Sequence, residues 1–148
     1  MTFRRSSDRL DILMVVDDDF DTNALCQTLL ENGIDCRMER CVDGTEALEY
    51  LQREHGLLSG KFIILLDLSS PQVNGYDFLT TIRSDPKLRR SVIFVLSTSS
   101  EKKDINAAYD LNVAGYILRT ESGVENLQIF RFLDAYRSLV TLSDLMLR

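Results

Sequence analysis

The sequence has only one histidine and three cysteines, and it contains no tryptophan. Cys26, Cys36 and Cys41 are odd in number and lack the CxxC spacing of a zinc or redox site, which excludes the usual metal and dithiol motifs. We interpret them as small apolar residues of a reducing compartment. If residues 36–42 form a strand, Cys36 and Cys41 lie on opposite faces. His55 has no ligand-spaced partner and is predicted to be a surface residue.

Long hydrophobic runs and basic clusters are also absent. No apolar run approaches the roughly 20 residues of a transmembrane helix, and no apolar signal-peptide region follows Arg4 and Arg5. The net charge is -6 without a Lys/Arg block to offset it, which disfavours binding to the phosphate backbone of nucleic acids. We therefore expect a cytoplasmic protein that binds neither nucleic acid nor membranes.

The chain has the composition of one soluble globular domain, with 148 residues, 45% of them hydrophobic and 27% charged. Five short apolar segments are predicted strands: residues 10–16, 36–42, 62–66, 92–96 and 114–118. Helical patterns alternate with them at residues 20–31, at 45–53, from Gly75 to about 85, around Ile105, Ala108 and Tyr109, and at 124–139 through Leu127, Phe130 and Leu133. This alternation predicts an α/β fold, a doubly wound five-stranded parallel sheet with helices on both faces.

Charged and hydroxyl side chains follow four of these strands. They are Asp17, Asp18 and Asp19 after the first strand, Asp67 after the third, Ser97 after the fourth and Arg119 after the fifth. In doubly wound sheets, sites form outside the carboxyl ends of the strands. Clustered carboxylates repel each other unless a cation such as Mg²⁺ neutralises them. Asp67 could then attack a phosphoryl group, while Ser97 and Arg119 stabilise the charge on its oxygens.

Four segments, VVDDDF, LLDLSSPQVNG, VLSTS and GYILRT, resemble the motif regions of the CheY-like receiver domain of response regulators in two-component signalling. The resemblance covers residues 10–138 and implies that Asp67 is the phosphoacceptor. It implies a Mg²⁺ or Mn²⁺ ion held by Asp17, Asp18, Asp67 and the backbone carbonyl of Ser69. It also assigns Ser97 as the switch hydroxyl.

The resemblance makes Tyr116 the switch aromatic, but the chain departs from the family at Arg119-Thr120, where a Lys-Pro pair is usual. Arginine is always charged and can bind phosphate through two hydrogen-bond donors. Its guanidinium group need not reach the point that a lysine ammonium occupies. A cis bond before Thr120 would cost about 3 kcal/mol, so we expect a trans bond and a rearranged loop over residues 119–122.

Ordinary structural roles remain open for each candidate. The aspartates after the first strand could cap a helix, which is the expected role of Asp19 and Asp21. Asp67 could be a turn residue, and Ser97 could bond only to neighbouring backbone. Arg119 could form a surface ion pair, and Tyr116 could be ordinary core.

We expect a flexible lead at residues 1–9, a receiver domain at 10–138 and an apolar extension at 139–148. The extension could lengthen the last helix on its own domain, or it could pair with a second subunit. The run VLSTSSEKKDI and this extension resemble stand-alone, phytochrome-associated response regulators. That resemblance implies a sensor histidine kinase of the phytochrome type as partner, and a homodimer.

Three functions compete. The first is a stand-alone receiver, with no effector domain after residue 148, that signals by phosphorylation-dependent protein binding. The second is an interaction module that works without phosphorylation, which the Arg119-Thr120 departure favours. The third is an enzyme of the haloacid-dehalogenase type. Such enzymes need a second acid two residues after the nucleophile, and this chain has Ser69 there, which disfavours this function. We expect a phosphoacceptor signalling protein and not an enzyme.

Overall fold

The computed structural model describes residues 9–17, 21–53, 61–120 and 126–145. Its strands are β1 (Leu10–Val15), β2 (Cys36–Cys41), β3 (Ile63–Asp67), β4 (Val92–Ser97) and β5 (Gly115–Leu118). Its helices are α1 (Thr22–Glu31), α2 (Gly44–Gln52), α3 (Gly75–Ser84), α4 (Lys102–Asp110) and α5 (Asn126–Leu139). The strands pair in parallel in the order β2-β1-β3-β4-β5, which confirms the predicted doubly wound fold.

The helices cover the two faces of the sheet. One apolar layer packs α2, α3 and α4 against the sheet, through residues such as Ala47, Phe78 and Ala108. The opposite layer packs α1 and α5, through residues such as Leu29 and Leu133. β1 and β3 are buried along their whole length because helices lie on both sides of them, which explains why every residue in them except Asp11 and Asp67 is apolar.

Most predicted element bounds agree with the structure to within one or two residues. The spacing-based assignment of Tyr109 to a buried helix face was wrong, because Tyr109 is 49% exposed while Ala108 is fully buried. Leu127 is likewise exposed, and Ile129 replaces it in the buried face of α5. Cys36 and Cys41 pack in opposite layers, as their spacing predicts.

The chain beyond α5 packs partly on its own domain. Leu142 is 8% exposed and lies in the layer of α1 and α5, while Leu145 packs against the other layer. Leu139, at the end of α5, is 85% exposed. None of the helices in the described ranges is both long and apolar enough to cross a membrane. The predictions for residues 1–8, for His55 and for residues 146–148 lie outside the described residues.

Candidate phosphoacceptor site

The strand order reverses between β1 and β3, and the candidate residues meet at the carboxyl ends of these strands. Val15 pairs with Leu66, so Asp17 and Asp67 leave the sheet at the same edge. β4 continues this edge, since Leu96 pairs with Asp67 and Ser97 pairs with Leu118 of β5. Asp18 and Asp19, which were predicted beside Asp17, lie outside the described residues.

Asp67 ends β3 as a buried carboxylate, 3% exposed. Its Oδ1 atom accepts a hydrogen bond from the Ser69 N–H at 2.7 Å. Its Oδ2 atom lies 3.8 Å from the nearer guanidinium nitrogen of Arg119. This distance is too long for a hydrogen bond but keeps the two opposite charges close. One carboxylate oxygen of Asp67, Oδ1, is thus bound by the loop after β3, and the other, Oδ2, faces the guanidinium of Arg119.

Asp17 is held by the same loop. The Ser70 hydroxyl donates to Asp17 Oδ2 at 2.6 Å, across 53 positions of sequence. Ser70 Oγ also lies 2.8 Å from an oxygen of Gln72. A hydroxyl has one proton, and the charged carboxylate at the shorter distance is the stronger acceptor. Ser69 therefore orients the carboxylate of Asp67, and Ser70 orients the carboxylate of Asp17.

Arg119 follows β5, and its guanidinium lies beside Asp67. Its N–H donates to the Ser97 carbonyl at 3.0 Å, which extends the pairing of β4 and β5 by one residue. Its side chain is 25% exposed. No peptide bond among the described residues is cis, so the bond between Arg119 and Thr120 is trans, as the absence of proline predicts. The rest of the predicted rearranged loop, from residue 121, lies outside the described residues.

Ser97 is the last residue of β4 and is 3% exposed. It directly follows Leu96, which pairs with Asp67 across the sheet. Its Oγ atom accepts a hydrogen bond from the Ser99 N–H at 3.0 Å. The Thr98 N–H donates to Ser69 Oγ, also at 3.0 Å. The loop after β4 is thus tied directly to the loop that holds Asp67.

Tyr116 of β5 bonds to this same loop. Its hydroxyl donates to the Ser99 carbonyl at 2.8 Å. The Ser99 hydroxyl donates to Asp104 Oδ2 on α4 at 2.5 Å, and the Tyr76 hydroxyl of α3 donates to the Asp104 carbonyl at 3.0 Å. Tyr116 is half-buried beside α4, so its hydroxyl links the site to the α4–β5 surface.

The chemistry of the donors fits a hard divalent cation. Asp17 and Asp67 supply carboxylate oxygens at one edge, and the Arg119 contact to buried Asp67 is too long for a direct hydrogen bond. Within the described ranges no group of three or more His, Cys, Asp or Glu side chains forms a metal-binding cluster. The predicted ligand Asp18 is not among the residues described. A complete ligand set thus requires groups beyond Asp17 and Asp67.

Sequence reasoning missed four side chains of this network, namely Ser70, Tyr76, Ser99 and Asp104. Ser99 follows Ser97 by two positions and precedes α4, a spacing typical of local hydroxyl bonding near a helix start. Ser70 bonds across 53 residues and Tyr76 across 28. Such pairs carry no local sequence signal, because they depend on how the strands and helices assemble.

Comparison with known proteins agrees with this geometry. Residues 13–129 match the family described as response regulator receiver domain. The chain is 32% identical over 113 residues to response regulator Rcp1 of Synechocystis sp., covering 75% of this chain and 77% of Rcp1.

Two solved structures are also similar. The phosphorylated cyanobacterial phytochrome response regulator RcpA is 30% identical, with a TM-score of 0.69 over 90% of this chain and 98% of RcpA. The Mn²⁺-bound form of Rcp1 is 30% identical, with a TM-score of 0.66 over 90% of this chain and 99% of that one.

Proposed function

This chain belongs to the response regulator receiver family, and we propose that it signals by accepting a phosphoryl group on Asp67 from a histidine kinase. The observation that carries the proposal is the position of Asp67, a buried carboxylate at the end of β3 with Oδ2 facing the Arg119 guanidinium at 3.8 Å. The phosphorylated state of the similar protein RcpA supports it.

The transfer needs little covalent chemistry from the protein. Asp67 Oδ2 attacks the phosphorus of a phosphohistidine, the P–N bond breaks, and the imidazole leaves with the bond's electron pair. Ser69 N–H holds Oδ1 and thereby orients the carboxylate. We assign Arg119, whose guanidinium is 3.8 Å from Asp67 Oδ2, and Ser97 at the end of β4 to stabilise charge on the transferred oxygens.

A divalent cation, Mg²⁺ or Mn²⁺, would be held by Asp17, Asp18, Asp67 and the Ser69 carbonyl, and would neutralise charge on the carboxylates and the phosphoryl oxygens. The Mn²⁺-bound form of Rcp1 supports this assignment. Ser70 keeps Asp17 oriented for that role. The chain is then a phosphoacceptor that assists its own phosphorylation and is not an enzyme acting on other substrates.

The output we propose is a change in protein binding in the cytoplasm. A phosphoryl group adds negative charge and acceptor oxygens beside Ser97, whose hydroxyl accepts from Ser99 N–H. Movement of Ser97 toward the phosphoryl group would release this bond and alter the Tyr116–Ser99 contact, biasing the α4–β5–α5 surface.

The kinase partner we propose is a sensor of the phytochrome type, supported by the phytochrome association of RcpA. We also propose a homodimer and retain residues 10–138 as the receiver domain. Exposed apolar side chains at Leu139, Val140 and Phe132 on and after α5 support the dimer, because water contact with them is unfavourable.

An intact-mass time course with acetyl phosphate and Mg²⁺ tests the proposal. Wild type should gain the mass of one phosphoryl group, and Asp67→Asn should gain none. A wild type that gains no mass would overturn the proposal and favour the module that works without phosphorylation. That module would bind its partner equally with and without beryllofluoride, a phosphoryl mimic.

A further inference from the structure

Ser99, in the loop between β4 and α4, uses all of its polar groups in hydrogen bonds. Its N–H donates to Ser97 Oγ at 3.0 Å, and its carbonyl accepts from the Tyr116 hydroxyl at 2.8 Å. Its hydroxyl donates to Asp104 Oδ2 at 2.5 Å and accepts from the Glu101 N–H at 3.3 Å. Ser99 therefore connects Ser97 directly to the first turn of α4.

The bond from Ser99 to Asp104 is the shortest of the four. A hydroxyl has one proton, and Ser99 gives it to a carboxylate at a distance typical of a charge-assisted hydrogen bond. Asp104 is the third residue of α4, where an acid usually accepts from the N–H of the N-cap residue. Here the N-cap residue is Glu101, and its N–H donates to Ser99 Oγ instead. Asp104 therefore restrains the loop before α4 as well as the start of the helix.

The first turn of α4 is also held from α3 through Asp104. The hydroxyl of Tyr76, on the first turn of α3, donates to the Asp104 carbonyl at 3.0 Å. Both residues are half-buried, so this contact is partly shielded from water. Ser99 is thus bound to a helical turn that is itself fixed to a second helix.

Movement of Ser97 would act on these bonds through Ser99. A phosphoryl group on Asp67 would attract the Ser97 hydroxyl, and the Ser99 N–H would then lose its acceptor. The loop would have to shift to satisfy this N–H again, and the shift would lengthen the bond from Ser99 to Asp104. Because that bond stabilises only the arrangement before the shift, it opposes the change.

We propose that Asp104 is a positioning residue that opposes switching, because its bond to Ser99 holds the loop between β4 and α4 in the unphosphorylated arrangement. The inference rests on the proposed phosphorylation of Asp67. The apparent affinity for a phosphoryl mimic falls with the fraction of molecules whose loop has shifted. Loss of the bond would raise that fraction, so Asp104 sets how readily the α4–β5 surface responds.

Isothermal titration calorimetry of the whole chain with beryllofluoride and Mg²⁺ tests the inference. Asp104→Ala removes the acceptor and should bind beryllofluoride about tenfold more tightly than wild type, because a hydrogen bond to a charged group typically contributes that factor or more. Asp104→Asn keeps a neutral acceptor and should show a smaller gain. Asp110→Ala removes an exposed acid at the other end of α4, and this matched control should bind as wild type does.

Ser99→Ala separates the effect of the bond from the effect of the Asp104 charge. Removal of a negative charge could itself favour the anionic mimic, whereas Ser99→Ala breaks the same bond and leaves the carboxylate in place. Ser99→Ala should therefore also bind beryllofluoride more tightly, and the double variant should gain little more than either single variant. A gain in the Asp104 variants without a gain in Ser99→Ala would overturn the inference.

A merely structural role of Asp104 predicts a different result. Loss of a hydrogen bond would then lower the free energy of unfolding without tightening the binding of beryllofluoride. Binding by Asp104→Asn and Ser99→Ala that is no tighter than in a binding-competent wild type would overturn the inference and leave the proposed function standing, even if Asp104→Ala does not fold. A wild type that does not bind beryllofluoride would overturn both.

Discussion

Single hydrogen bonds from two consecutive serines orient the carboxylates of the site. Ser69 binds Asp67 through its N–H, and Ser70 binds Asp17 through its hydroxyl. The types and order of Asp17, Asp67, Ser97 and Arg119 could be predicted because each follows an apolar strand directly. The role of Ser70 could not, because its partner lies 53 positions away and is fixed only by the pairing of β1 with β3.

Ser70→Ala removes the donor to Asp17 and should weaken Mn²⁺ binding by about tenfold, because groups that orient metal ligands typically contribute that much or more. Isothermal titration calorimetry measures the affinity. Ser84→Ala, which removes a hydroxyl that bonds only within α3, is the matched control and should bind Mn²⁺ as wild type does. Equal or tighter binding by Ser70→Ala would show that Ser70 does not position a metal ligand.

Arg119→Gln removes the cation beside Asp67 and should slow phosphorylation by acetyl phosphate about tenfold or more. The reason is that the charge developing on the phosphoryl oxygens would lose its guanidinium partner. The effect is limited because Arg119 is partly exposed, and solvent weakens the electrostatic stabilisation that it gives. Intact-mass kinetics measure the rate. Arg131→Gln, on the exposed side of α5, should leave the rate unchanged. If both variants react as fast as wild type, Arg119 does not contact the phosphoryl group.

At the scale of the elements, the loop between β4 and α4 connects the site to the neighbouring helices. Ser97, Ser99 and Thr98 bond within it or to Ser69, and Tyr116 bonds to it from β5. Strands were easier to predict than helix faces, because a strand buried on both sides is apolar at almost every position. The exposure of Tyr109 shows that the spacing of apolar residues predicts the buried face of a short helix poorly, because a shift of one residue changes which face is buried.

Tyr116→Phe removes the donor to the Ser99 carbonyl and should lower the free energy of unfolding by about 1 kcal/mol, the net value of one hydrogen bond. Urea denaturation followed by circular dichroism measures this change. Tyr109→Phe, at a tyrosine 49% exposed on α4, should change the stability little. A loss in Tyr116→Phe no larger than in this control would mean that the bond does not stabilise the loop.

For the whole molecule, the fold followed from five apolar segments alternating with helical patterns, and the family match agrees with it. The subunit arrangement does not follow in the same way, because the tail both packs on its own domain and leaves apolar side chains exposed. Leu142 is buried, whereas Leu139 is 85% exposed. The expectation of a lengthened final helix was wrong, because α5 ends at Leu139 and residues 140–145 pack without helix. A pairing arm stays a prediction, and the exposed surface around Leu139 is where it would form.

Leu139→Gln should shift the proposed homodimer toward monomer, because it replaces an apolar contact with a side chain that must lose water on association. Sedimentation velocity over a concentration series measures this shift. Leu30→Gln, at a leucine 54% exposed on α1, is the matched control and should sediment as wild type does. A wild type that is monomeric at all concentrations would refute the dimer.

The central claim is that Asp67 carries the phosphoryl group. Borohydride reduces an aspartyl phosphate to homoserine, so peptide sequencing by mass spectrometry after acetyl phosphate, Mg²⁺ and borohydride locates the modified residue. We predict homoserine at position 67 in the wild type, and none in Asp67→Asn or in the wild type treated without the phosphodonor. Homoserine at another aspartate such as Asp17, or at no position, would contradict the account.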